Sequence, residues 1–191
     1  MRAAVLMLLL ATQAAAVELH VQFAALERML GEQVFTQEGR RYVKGSKDNK
    51  CSFAYLEKPQ VRGEAGRLRM KARFSGRSML NVAGLCVGLG DAFDVVILAL
   101  PIYKSGSIML QGVKVSSEGK TGVYIRKVCA AMEAALARDF RYAVERDAQL
   151  MLENPAVQPN YKREVRKFEV HDILVSNDAL VLQVDFELTV K

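Results

Sequence analysis

Three pairs of apolar-alternating segments, each joined by a short turn, constrain the fold of this chain most strongly. The last pair covers residues 167–175 and 179–190. From Leu180 to Val190 every second residue is apolar, while the other row is polar from Gln183 onward, with Asp185, Glu187 and Thr189. This alternation indicates an antiparallel strand with one buried face and one wet face. The other two pairs are residues 51–61 with 67–74 and residues 93–104 with 107–117, so three β-hairpins are predicted.

The middle hairpin is apolar on both faces of its first strand. Val96, Leu98, Leu100 and Ile102 would lie on one face, and Val95, Ile97 and Ala99 on the other. Such a strand is expected to be covered on both sides, and an amphipathic helix predicted at residues 22–34 can supply the second cover. The other interpretation is an exposed patch for a protein partner or a membrane. A basic strand, RRYVK, follows the helix.

Residues 121–153 are predicted to form one long amphipathic helix. The segment contains no proline, and its only glycine is Gly122. Thr121 is a candidate N-cap, and Asn154-Pro155 ends the helix. At 1.5 Å per residue the helix would be about 50 Å long, which exceeds the roughly 30 Å of a small domain. We therefore expect an α+β fold, in which a strongly curved antiparallel sheet is wrapped around one long helix, with a short N-terminal helix added.

The first sixteen residues have the pattern of a secretory signal peptide. Arg2 precedes an apolar run over residues 3–11, and Ala14-Ala15-Ala16 fits the A-x-A cleavage rule. The run is too short to span a bilayer as a helix, although an uncleaved anchor is the alternative. We expect a periplasmic protein whose residues 17–191 form a single domain. The net charge is +6 for the full chain and +5 once Arg2 is removed with the signal peptide, which suits an anionic lipid, lipopolysaccharide or cell-wall partner better than nucleic acid in that compartment.

Three cysteines in an oxidising compartment allow one disulfide and one free thiol. Cys129 lies on the apolar face of the predicted helix, where a cysteine usually packs as a small hydrophobe. A Cys51–Cys86 disulfide is therefore favoured, and a Cys86–Cys129 bond is the alternative.

Catalytic and metal-binding patterns are not found in the sequence. His171 and Asp172 are adjacent on a predicted strand, so their side chains should point to opposite faces and form no dyad. The glycine-rich stretch NVAGLCVGLGD, predicted as a loop, has no following helix at the spacing of a phosphate loop. We expect no enzyme activity, no cofactor and no metal.

The order of these elements resembles the tubular lipid-binding superfamily, which includes the bactericidal/permeability-increasing-like (BPI-like) proteins. The stretch ALPIYKSGSIMLQGVKVSS carries most of the likeness, followed by the alanine-rich helix and the final hairpin. The chain is most similar to small bacterial periplasmic families of unknown function with this fold. The resemblance implies a non-enzymatic domain over residues 17–191, in whose larger relatives acyl chains lie between sheet and helix. The lipobox cysteine of many such relatives is missing here, which argues against a membrane tether.

A lipid or other apolar ligand is therefore predicted between the long helix and the curved sheet. The residues expected to line that space are apolar and are equally those of a plain core: Leu68, Met70, Phe74, Leu98, Leu100, Ile125, Val128, Met132, Leu136, Phe140, Leu182, Val184 and Phe186. If the core is solid, the alternative is an envelope interaction or scaffold protein that docks a protein or an anionic membrane surface. A helix-grip pocket is less favoured, because two strands follow the long helix.

Four cations alternate with apolar residues in RLRMKARF. Arg67, Arg69, Lys71 and Arg73 would share one face of a strand. They are candidates for contact with anionic headgroups, where each cation contributes about 1 kcal/mol. The alternative is the wet face of a sheet, with acidic residues on a neighbouring strand neutralising the row.

Overall fold

The part of the chain that the structure describes is built from two antiparallel sheets and three helices. The computed structural model describes residues 17–49, 51–83, 85–154 and 161–191, so the predicted signal peptide lies outside the described residues. The elements in chain order are β1 (Val17–Gln22), α1 (Phe23–Gln33), β2 (Arg40–Lys44), β3 (Ser52–Glu64), β4 (Arg67–Val82), β5 (Leu85–Lys104), β6 (Ser107–Glu118), α2 (Val123–Asp139), α3 (Val144–Leu152), β7 (Arg163–Val175) and β8 (Ala179–Val190).

The three predicted hairpins are present as β3–β4, β5–β6 and β7–β8. Five strands form one sheet in the order β2-β3-β4-β5-β6, and three form the other in the order β1-β8-β7. All neighbouring strands are antiparallel. The predicted N-terminal helix and the strand RRYVK correspond to α1 and β2. Period-two alternation and short turns were therefore reliable guides to strand pairing.

The prediction of one long helix over residues 121–153 is wrong, because the chain leaves the helical conformation at Phe140. Phe140 is extended, and Tyr142 forms an isolated antiparallel bridge with Ile108 near the start of β6. The two residues exchange both backbone hydrogen bonds, at 2.8 and 3.0 Å. The open edge of β6 thus gains a partner at this point. Aromatic residues favour such an extended segment and are weaker helix formers than the alanines before them.

The prediction of a curved sheet wrapped around a helix is also wrong, because each helix lies on a different strand. Helix α1 packs on β3, α2 on β6 and α3 on β7. With two shorter helices replacing the expected one, no sheet has to cover a helix about 50 Å long. The length of the helix was the reason for expecting a sheet wrapped around it, and that reason no longer applies.

A glutamate at each helix accepts a hydrogen bond from a strand amide. Glu27 of α1 accepts from the Val61 N–H at 2.5 Å, and Glu133 of α2 accepts from the Val115 N–H at 3.1 Å. Glu153, just after α3, accepts from the Val165 N–H at 2.9 Å. Val115 and Val165 lie on the edge strands β6 and β7, and Val61 lies beyond the segment of β3 that pairs with β2. The helices thereby satisfy strand amides that have no strand partner.

The glycine-rich stretch predicted as a loop belongs to the long β4–β5 hairpin. Pairing between these strands continues to Val82 opposite Leu85. A Cβ atom at Gly88 would lie 2.5 Å from the Ser78 carbonyl oxygen, and one at Gly90 would lie 2.8 Å from Arg77 Cγ. These glycines therefore permit close approach of β4 rather than marking a turn.

Two large apolar clusters hold the layers together. In the first, Val61 and Ile108 of the five-stranded sheet meet Leu182 and Val184 of the three-stranded sheet. The second lies beneath α2 and is centred on Phe74 and Phe93. Among the described helices, none has the length and apolar character needed to cross a membrane.

Candidate functional site

The predicted ligand-lining residues of β4 and β8 lie in packed clusters rather than around one tunnel. Phe74 is buried beneath α2, while Leu68 and Met70 border the cluster between the two sheets. Leu182 and Val184 are buried in that cluster, and Phe186 packs against it. The six predicted lining residues of β4 and β8 are therefore divided between two separate clusters.

The predicted inward row of β5 is reversed. Leu98 pairs with Arg69, so it lies on the cation-bearing face of the sheet, and Leu100 is exposed. The core face is formed instead by Val95, Ile97 and Ala99, which are almost fully buried. Because both rows are apolar, only the pairing register with β4 distinguishes them.

The predicted lining residues of the long helix pack mainly against the sheet. Ile125 is buried on the face of α2 that packs on the sheet, and Val128 and Met132 pack beside it. Leu136 contacts the small cluster of Ile97, Ala99 and Val113, whereas Phe140 is partly exposed beyond the helix end. Four of the five predicted residues therefore lie on α2 and pack against the sheet or beside it.

An open apolar cleft, which we call the α3 cleft, lies between α3 and the three-stranded sheet. Its volume is about 310 Å³, and all of its accessible lining is apolar. The lining residues are Val17 and Leu19 of β1, Ala148, Met151 and Leu152 of α3, Phe168 of β7, and Val184 and Phe186 of β8. Only the last two were in the predicted set. The apolar run Leu150-Met151-Leu152 was a sequence signal for Met151 and Leu152 alone.

A second cleft, of about 750 Å³, lies between α2 and β6. Val113 and Val115 of β6 form part of one wall, and Ile125 and Ala134 of α2 form part of the other. Glu133 crosses this cleft to bind the Val115 amide, and its carboxylate is 3.6 Å from Lys114 Nζ. The lining is mixed, and its one carboxylate, that of Glu133, already accepts a hydrogen bond from the edge of β6.

The predicted row of cations on β4 is largely neutralised by acids on β3, β5 and β6. Arg69 Nη2 lies 2.6 Å from Glu118 Oε1, and Arg69 Nε lies 3.1 Å from Glu64. Lys71 contacts Glu118 at 2.6 Å and Asp94 at 3.3 Å. Arg73 contacts Asp94 at 3.0 Å, and Arg67 alone has no acidic partner among the described residues. The geometry matches the neutralised alternative and leaves little positive charge for an anionic surface.

These pairs lower the pKa values of the two acids between the cations. The Arg73 hydrogen bond is the main cause of the lowered pKa of Asp94. The Lys71 hydrogen bond is the main cause of the lowered pKa of Glu118. In turn, Glu118 raises the pKa of Lys71. The ion pairs therefore favour the charged forms of Asp94 and Glu118 and also that of Lys71.

The disulfide joins Cys51 to Cys86, as the sequence favoured. Cys129 is free and is buried on the sheet-facing side of α2. Burial is the largest cause of the raised pKa of its thiol, and the nearby Glu133 carboxylate raises it further. A thiol of this kind is a poor nucleophile.

A mixed polar cluster lies on the outer face of the β7–β8 hairpin. His171 Nε2 is 2.9 Å from Asp185 Oδ2, which also accepts a hydrogen bond from Lys167 Nζ at 2.8 Å. Glu169, His171 and Asp185 present ligand atoms within 4.8 Å of one another, a metal-compatible spacing that the sequence did not reveal. However, Lys167 contacts both carboxylates and would compete with a cation. We interpret the cluster as an ion-pair network.

No protein-family model matches the chain, and no curated protein sequence shows significant similarity to it.

Proposed function

We propose that this chain is an exported, non-enzymatic protein that binds the acyl chain of a lipid, or a similar apolar ligand, in the α3 cleft. The observation that carries this proposal is the wholly apolar lining of an open cleft of about 310 Å³. Small-molecule pockets span about 300–1,000 Å³ and are lined mainly by apolar side chains. The cleft is at the lower end of that range, which suits one acyl chain better than a bulky ligand.

Large side chains at the cleft remain exposed without a ligand. Met151 is 74% exposed, Val17 is 54% exposed and Leu19 is 47% exposed. Fully burying an apolar side chain of this size contributes about 1.5–3 kcal/mol. Covering these three would therefore supply several kcal/mol towards binding, before the cost of ordering the ligand is subtracted.

The disulfide supports an oxidising compartment, because such bonds are rare in the reducing cytoplasm. The apolar pattern of residues 1–16 supports export to the periplasm through a cleaved signal peptide. The buried Cys129 and the Lys167-occupied polar cluster offer no activated nucleophile beside a substrate cleft. A binding role is thus better supported than a catalytic one.

The first test is native mass spectrometry of the protein purified from a periplasmic extract, followed by organic extraction of bound material. We expect a mass excess that is recovered as fatty acid or phospholipid. The delipidated protein should then bind a fluorescent fatty acid saturably. If the protein has a bare mass and takes up no added fatty acid, the proposal is wrong.

Two neighbouring residues provide a matched pair of variants. Met151 lines the α3 cleft, whereas Leu150, which is 64% exposed, does not. Met151→Lys should weaken fatty-acid binding by about tenfold or more, because the ammonium group must lose water when the acyl chain enters. Leu150→Lys should leave binding unchanged. Ala148→Phe should also reduce binding by filling the cleft. Equal effects of the two lysine variants would place the ligand elsewhere.

A further inference from the structure

The β4–β5 hairpin leaves part of β5 without a strand on its outer side. Strand β6 pairs with β5 only from Asp94 onward, whereas β4 pairs with β5 from Leu85. In the part of the chain that the structure describes, residues 85–90 therefore form an open strand edge, which we call the β5 edge. An open edge presents unpaired N–H and C=O groups that can template another strand.

The β5 edge has one apolar, solvent-facing side. Leu85 and Leu89 are each 71% exposed, and Val87 is 59% exposed. The opposite side carries Cys86, which is bonded to Cys51, and glycines that allow close contact with β4. The edge is thus fixed to the rest of the sheet while its apolar row remains uncovered.

We propose that the β5 edge pairs antiparallel with the β5 edge of a second copy of this chain, about a two-fold axis through Val87. The apolar row has the symmetry that such an interface requires, because Leu85 and Leu89 are equally spaced from Val87. In this register Val87 faces its own counterpart, and each Leu85 faces Leu89 of the second copy. Three apolar cross-strand pairs form on one face.

Charge distribution favours a second copy over an anionic membrane. Residues 78–90 carry no charged side chain, so two copies meet without like-charge repulsion across the edge. Edge strands that remain unpaired are commonly protected by lysines, prolines or bulges. The β5 edge contains neither a charge nor a proline in LCVGLG. A membrane-docking surface would instead gain from cations beside its apolar row.

The test is the molecular mass in solution, measured by light scattering and sedimentation over a wide concentration range. We expect a monomer–dimer equilibrium for the wild-type chain. Val87→Lys should weaken the dimer by about tenfold or more, because two lysines would face each other at the axis. Val43→Lys is the control, since Val43 is also exposed but lies on β2 at the other edge of the sheet. Circular dichroism and thiol counting verify that each variant is folded and oxidised.

A charge-pair experiment tests the register itself. Leu85→Lys and Leu89→Glu should each weaken self-association, because each places two charges opposite leucines. A mixture of the two variants should form a heterodimer, in which the introduced lysine faces the introduced glutamate and the remaining leucines face each other. Tighter association in the mixture than in either variant alone supports the Val87-centred register.

Several results would overturn the proposal. A wild-type chain that is monomeric at all concentrations would do so, as would a dimer that Val87→Lys leaves intact. If the chain is monomeric and Val87→Lys instead abolishes binding to anionic phospholipid vesicles, the β5 edge docks to a membrane. A mixture that associates no better than its components excludes this pairing register.

Discussion

Removing the Cys51–Cys86 disulfide should lower the free energy of unfolding by an amount set by the loop that it closes. The two cysteines are separated by 35 positions. In the chain-entropy description, a cross-link closing such a loop removes about 13 cal/mol/K from the unfolded ensemble, or about 3.8 kcal/mol at 25 °C. The Met79 N–H donates to the Cys51 carbonyl at 3.0 Å, so backbone pairing near the bond does not depend on the sulfur atoms. Most of the loss should therefore arise in the unfolded state.

The assay is urea unfolding of the wild type and of the Cys51→Ala/Cys86→Ala double variant at one low protein concentration. Fixing the concentration matters because self-association would add to the apparent stability. Cys129→Ala is the control, since it removes a buried thiol but no cross-link. It should cost less than about 2 kcal/mol, because it deletes only one heavy atom from the core.

A loss below about 1 kcal/mol in the double variant would refute the entropic reasoning. The pairing itself is tested by alkylating the denatured, unreduced protein and mapping the labelled peptide. Cys129 should carry the label. Labelling of Cys51 would instead indicate the Cys86–Cys129 bond that the sequence left as an alternative.

Three further perturbations test the packing of the core, the hydrogen bond from Glu133 to β6, and the ion pairs of Asp94 and Glu118 with the cations of β4. Phe93→Ala should cost about 3–5 kcal/mol in urea unfolding, because this almost fully buried ring leaves a cavity beneath α2; a cost under about 1 kcal/mol would contradict its central position. Glu133→Ala should cost about 1–3 kcal/mol by leaving the Val115 amide without its acceptor, whereas Glu133→Gln should retain most of the stability. The lowered pKa values of Asp94 and Glu118 mean that both contribute stability above their ordinary pKa of about 4 and lose it as the pH falls further. Melting temperatures measured from pH 7 down to pH 3 should therefore fall at the acid end. A flat profile would show that the ion pairs of Asp94 and Glu118 do not contribute to stability.

Local pattern was sufficient to predict the hairpins and the free cysteine. In β8, apolar residues at every second position face one side, and a period of two is that of a strand and not of a helix. Cys129 lies one turn from Ile125 and so had to share its apolar face. Both inferences depend only on residues close together in the chain.

The break between α2 and α3 has a local signal in the sequence. Arg138 lies in the last turn of α2, and Glu145 and Asp147 lie in the first turn of α3. A cation followed by two acids matches the dipoles of a helix that ends and of another that begins. The absence of proline and glycine over residues 123–153 favours one continuous helix, whereas in the structure the chain is extended where Tyr142 bridges to Ile108 of β6. That contact joins segments far apart in the sequence, so local propensity alone could not predict it.

The same limit explains why the predicted lining residues and the α3 cleft differ. Both rows of β5 are apolar, so the sequence could not show that Ile97, rather than Leu98, faces the core; pairing of Arg69 with Leu98 decides this. The α3 cleft exists because β1, the first described strand, pairs with β8, the last. That pairing brings Leu19 beside the end of α3 and opposite residues of β7 and β8. A site assembled from both ends of a chain has no local sequence signature, and tertiary pairing must be known before its residues can be grouped.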